Sequence, residues 1–248
     1  MRTSGTGKGP SRRRPPHGLR PLLVGGSLAL GVALLAIAAV RVTSGGGSPA
    51  PPEEWISQQP ELIRELVGRG RAREVERLLA QGADPNSRDS QGYTAAMHAA
   101  SRGQSDVLHL LLGSGADPNA RAADATTALH VASGAGRASS VDQLIAAGAD
   151  MNTQDAVGNT PLMMAILAGS PAGVSSLLRY QADAYRSTIF GFTPMAVAVL
   201  NNDVAAVRLL LSAGVDPDYS PPGGPSAREV AERRQAREII EVLTSGPP

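Results

Sequence analysis

Histidines His17, His98, His109 and His130, with aspartates Asp84, Asp117, Asp150, Asp183 and Asp216, are the side chains best suited to metal binding or proton transfer. His98 and His109 lie on neighbouring segments and could approach one another. Two imidazoles without a third ligand, or a carboxylate at helical spacing, do not make a metal site. The five aspartates recur every 33 residues. Such periodicity suits residues that brace a repeated loop through their carboxylates, not a catalytic pair. The chain has no cysteine, which excludes disulfides, thiolate metal sites and a cysteine nucleophile. It also lacks a phosphate-cradling loop, a G-x-S-x-G elbow and an H-E-x-x-H pair. No catalytic, cofactor-binding or metal-ligating residue is assigned, and the expected function is non-enzymatic, without cofactor or small-molecule substrate.

The spacing that demotes the aspartates identifies the elements that carry them. Four segments, 92–119, 125–152, 158–185 and 191–218, align without a gap, and their marker threonines Thr94, Thr127, Thr160 and Thr193 stand 33 residues apart. Extending that register in both directions gives six units between about residues 60 and 243. Each threonine can cap a helix through its hydroxyl, with Pro161 and Pro194 at the first helical position. Val107, Leu108, Leu111 and Leu112 then form one apolar stripe on a second helix. Gly115, Gly148 and Gly214 supply the left-handed residue that ends it, whereas the corresponding position in the third repeat is Gln181. A single hairpin of this kind cannot bury its stripe, but stacked neighbours can. Segments 61–67, 73–79 and 226–243 surround a Leu/Val stripe with Arg and Glu, as suits end caps with one wet face.

The recurring G-x-T-P-L-H-x-A-A and L-L-x-x-G-A-D-x-N pattern resembles the ankyrin repeat family, over about three quarters of the chain. The resemblance implies an all-α repeat solenoid of about six helix–turn–helix units joined by β-hairpin-like fingers. It gives a capping repeat at 55–90, full repeats at 91–123, 124–156, 157–189 and 190–222, and a C-terminal cap at 223–248. It further implies that His130, in T-A-L-H, braces its own turn and the neighbouring unit. Binding in this family uses finger tips and the exposed face of each first helix, which would make the chain a protein-interaction module. Carried over by position, the partner-binding candidates are Ser90, Gln91, Tyr93 and Arg102, then Asp124 and Thr126, then Val157, Asn159 and Leu167, and finally Ile189, Phe190, Phe192, Leu200 and Asn201.

Those candidates change from polar to apolar along the array. Phe190 and Phe192 are the only phenylalanines in the chain, and they flank Gly191. Either their rings pack locally, onto Tyr185 or an adjacent loop, or they form the apolar centre of a binding surface. The repeat pattern also breaks here, with Tyr185 for Asn and Thr188 for Asp, so the junction is either looser than its neighbours or specialised.

The front of the chain reads differently. Residues 1–52 hold Arg2, Lys8, Arg12, Arg13, Arg14, Arg20 and Arg41 and no acid, leaving 16 basic against 22 acidic residues in the remainder, a net of −6. Nucleic acid is therefore not an expected partner. After the basic tail 1–20, residues 21–40 carry no charge and are long enough, at about 30 Å of helix, to cross a bilayer. The excess of basic residues ahead of it places the N-terminus in the cytoplasm and the repeats across the membrane. A cleaved signal peptide is the alternative, with Ala36-Ile37-Ala38 as a small-residue cleavage pattern and Ser11-Arg12-Arg13 as a partial twin-arginine start. A spanning segment at 21–41, a Gly/Ser/Pro linker at 42–54 and an Arg-rich, Ala/Gly-rich composition together suggest a bacterial envelope protein that binds an envelope partner. The signal-cleaved alternative is a periplasmic or secreted effector, inhibitor or immunity-type protein.

Overall fold

The structure, a computed structural model, describes residues 63–246. Helix α1 covers 63–68, and α2 follows at Ala72–Ala80. The next pairs are α3 (Ala95–Arg102) with α4 (Ser105–Gly113), α5 (Ala128–Gly134) with α6 (Ala138–Ala146), and α7 (Pro161–Leu167) with α8 (Pro171–Arg179). The last two are α9 (Pro194–Leu200) with α10 (Val204–Ser212), and α11 (Ala227–Arg234) with α12 (Arg237–Ser245). Six helix pairs thus stand in register. Helices α3, α5, α7, α9 and α11 pack side by side as one layer, and α2, α4, α6, α8, α10 and α12 form the second.

Local chemistry explains each start and stop. The Thr94, Thr160 and Thr193 hydroxyls accept the backbone N–H of Met97, Met163 and Ala196, and Ser226 does the same for Glu229. Thr127 instead faces His130, whose Nδ1 lies 2.9 Å from its hydroxyl. The inner first-layer helices are short and mostly buried, as in α9, where Pro194 to Val199 are all covered, whereas the end helix α11 buries only Ala227, Val230 and Ala231. Second-layer helices bury only a stripe, Val107, Leu108 and Leu111 in α4, with Leu112 half-buried. The stop residues Gly115, Gly148 and Gly214 have φ of 90°, 87° and 79°, and Gln181 takes the same left-handed conformation at φ 64°.

Two parts of the expected architecture are corrected. First, the units are not joined by β-hairpin-like fingers: among the described residues there is no strand, only an isolated antiparallel bridge between Arg88 and Thr94. The reason lies in the five-residue turns. Asp89 N donates to Tyr93 O at 2.9 Å, but Asp89 Oδ1 captures the N–H groups of both Gln91 and Tyr93, each at 2.9 Å. The donors a ladder would use are spent on the turn. Second, among the described residues no helix is long and apolar enough to cross a membrane. The second-layer helices have nine residues, about 13 Å of rise. The expected span at 21–40 lies outside the described residues, as do the tail and linker beside it.

Candidate functional site

The turns that replace the fingers are built alike. In the first, third and fourth, residue one donates its N–H to the carbonyl of residue five, and its side chain accepts two N–H groups from within the turn. Asp155 Oδ1 takes Val157 N and Asn159 N at 3.0 and 2.8 Å. Thr188, where the pattern asks for Asp, does the same work with its hydroxyl, accepting from Phe190 N and Phe192 N at 3.3 and 3.2 Å. The second turn begins with Ala122 and relies on Asp124 Oδ1, which accepts from Thr126 N at 3.0 Å.

Three columns of hydrogen bonds then tie turn to turn. Ala123 N, Ala156 N and Ile189 N donate to Gln91 O, Asp124 O and Val157 O of the preceding turn, at 3.4, 2.9 and 3.2 Å. Close stacking also explains the turn glycines: a Cβ at Gly158 would lie 2.8 Å from Ile189 N, and one at Gly191 would lie 2.7 Å from the Gly224 Cα. A second column runs through asparagines. Asn86 Oδ1 accepts Asp117 N at 2.7 Å while its Nδ2 donates to Gly115 O at 3.0 Å, and Asn119 repeats this with Asp150 N and Gly148 O. Asn152 accepts Asp183 N at 2.8 Å. At the next step Tyr185 Oη accepts Asp216 N at 3.1 Å, and its ring meets Tyr219 edge-on at 4.9 Å. The departure at Tyr185 is thus a different solution to the same contact. The third column was not anticipated. Arg88 donates to Arg121 O, Arg121 to Gln154 O at 2.7 Å, and Gln154 to Ser187 O at 2.9 Å. Its signal is in the sequence, since long donor side chains recur at 33-residue spacing just before the first three turns.

The periodic aspartates brace their loops as expected. Asp84, Asp117, Asp150, Asp183 and Asp216 each accept the N–H two residues on, at 2.8 to 2.9 Å. Two of the histidines, His98 and His130, are likewise absorbed by the fold, while His17 lies outside the described residues. His130 is buried, with Nε2 3.0 Å from Asn159 O of the next turn and Nδ1 receiving Thr127 N at 3.3 Å, and burial holds its pKa below the ordinary value. His98 Nε2 meets Asp89 Oδ2 at 2.9 Å. Burial alone would raise the Asp89 carboxyl, but that contact and the N–H groups of Tyr93 and Gln91 hold it below the usual range. His109 is exposed on α4, and among the described residues no group of three or more His, Asp or Glu is placed to hold a metal.

The structure separates the partner-binding candidates by what they already touch. Thr126 is buried, Asn159 binds the Asp155 carboxylate through Nδ2 at 3.0 Å, and Asn201 donates to Ile166 O at 3.1 Å. Tyr93 is half-buried over His98, with its hydroxyl 3.4 Å from Asp124 Oδ2. Phe192 and Leu200 are half-buried. Ser90, Gln91, Arg102 and Asp124 are exposed and polar. Ile189 and Phe190 are 67% and 68% exposed, Val157 on the preceding turn 43%, and Leu167 at the end of α7 49%. Local packing therefore accounts for Phe192 in part and leaves Phe190 uncovered. The remaining exposed large apolar side chains among the described residues, Tyr180, Tyr185 and Tyr219, belong to the same end of the array.

A two-layered stack of helix pairs, tied by periodic turns and bearing an apolar surface but no reactive cluster, defines a helical-repeat scaffold. The description "Ankyrin repeats (3 copies)" matches residues 63–155 and 129–220, and the chain belongs to the ankyrin-repeat family. That fold is a non-catalytic scaffold, consistent with side chains spent on turns and columns. No curated protein matches the chain.

Proposed function

We propose that this chain is a non-enzymatic protein-binding module whose partner is held by the apolar surface of Val157, Ile189 and Phe190, with Leu167 beyond it. The observation that carries this reading is the exposure of Ile189 and Phe190 on a turn adjoining Val157 through the Ile189 N to Val157 O bond. Apolar side chains normally go to the core, because burying one stabilises by roughly 1.5–3 kcal/mol. Here three of them lie exposed on two adjoining turns, where a partner would recover that energy.

The test is the full chain carrying Ile189→Ser and Phe190→Ser, assayed for thermal melting and for capture of proteins from its source cells. Because both side chains are exposed, melting is expected to stay within a few degrees of the unsubstituted chain while specific capture is lost. Undiminished capture, or a collapse of the fold, removes this reading.

A further inference from the structure

The column that links the turns through their backbones stops at Phe190, the most exposed large apolar residue among the described residues. Gln91 O, Asp124 O and Val157 O each receive an N–H from the turn that follows. In the same register the next acceptor is Phe190 O, and the residue that should supply its donor is Pro222, which has no N–H. Among the described residues nothing donates to Phe190 O. The turn at 221–224 is also built differently, with its positive φ at Gly223 instead of the position equivalent to Gly191. It meets the preceding turn through Gly224 and Gly191, not through the column. The other two columns change at this same step: Ser187 replaces the long donors Arg88, Arg121 and Gln154, and Tyr185 keeps the acceptor contact to Asp216 N in place of Asn.

We infer that the partner of this surface is a peptide segment whose main-chain N–H takes the vacant place at Phe190 O, with an adjoining apolar side chain packed on Phe190 and Ile189. This rests on the function proposed above and names the chemistry of the partner. A backbone carbonyl is a strong and side-chain-independent acceptor. On a turn that exposes Ile189 and Phe190, it favours a ligand that presents an amide donor and apolar surface together, as a peptide main chain does. A lipid tail offers no donor, and an anionic headgroup brings its donors with a charge rather than with adjoining apolar surface. The equivalent carbonyls of the earlier turns, at Gln91, Asp124 and Val157, each already accept an N–H from the turn that follows.

The experiment selects a phage-displayed random-peptide library on the immobilised full chain and resynthesises the enriched peptides with single backbone N-methyl groups. The expected result is a set of peptides weakened about tenfold by N-methylation at one nitrogen and by Phe190→Ser, but insensitive to methylation elsewhere. Peptides that depend on Phe190 yet tolerate N-methylation at every position would overturn the main-chain inference and leave the apolar surface as the binding site. A library with no Phe190-dependent peptide would overturn the inference outright. The capture test above would then decide the fate of the surface itself.

Discussion

At position 181 a glutamine occupies the left-handed conformation that glycine takes at 115, 148 and 214, and nothing crowds a Cβ at those glycines. The cost is therefore one of backbone conformation alone. Gln181→Gly should stabilise the chain by at most about 1 kcal/mol, since relief of strain is partly offset by a looser unfolded chain. Gly148→Gln should cost a similar amount, both read as shifts in the urea midpoint. Ser133 and Ser140 are fully buried on α5 and α6, and neither hydroxyl has a hydrogen-bond partner. Replacing either with alanine should raise stability by about 1 kcal/mol, because an unpaired hydroxyl is no longer kept from water. His130 gives a pH signature of definite sign. Its pKa is depressed by burial from an ordinary 6.5, so the unfolded chain takes up the proton first. Stability should be fullest above that value and decline as pH falls through it, levelling off below the folded pKa. His130→Gln should flatten this part of the melting profile. The Asp89 carboxyl, also depressed, contributes in a separate window below its ordinary 3.8.

Among the elements, the turns and their columns set the spacing of the helix pairs. Asn119 makes both a donor and an acceptor bond to the next unit, so Asn119→Ala should lower stability by roughly 1–3 kcal/mol. Chemical denaturation measures it. The helix pairs were legible because Thr caps, first-position prolines and stop glycines act within a few residues of one another. Gln181 could be read as a strained stop for the same reason. The turns were less legible, since whether two short legs pair as strands depends on where Asp89 or Thr188 sends its side chain. That choice is a competition between equally local bonds. The Arg88–Arg121–Gln154 column was missed because charge draws attention to ion pairs, while these side chains serve main-chain carbonyls in neighbouring units.

For the whole molecule, stability is a sum over neighbouring units, and the surface available for recognition is whatever the columns leave unused. Phe190 and Phe192 looked alike in the sequence, yet the turn half-buries one and presents the other. Their environments depend on the stacking of two turns, which no single repeat encodes. The exposed polar candidates at the N-terminal end and the apolar ones near Phe190 make opposite forecasts about where a partner sits. Site-specific photo-crosslinking of the full chain in its source cells separates them, with the photoreactive residue at position 190, at position 91, or at exposed position 208 on α10. A discrete protein adduct from position 190 that is absent from position 208 is the predicted result. Adducts from 91 or 208 with none from 190 would contradict the assignment of the Val157–Ile189–Phe190 surface to partner binding.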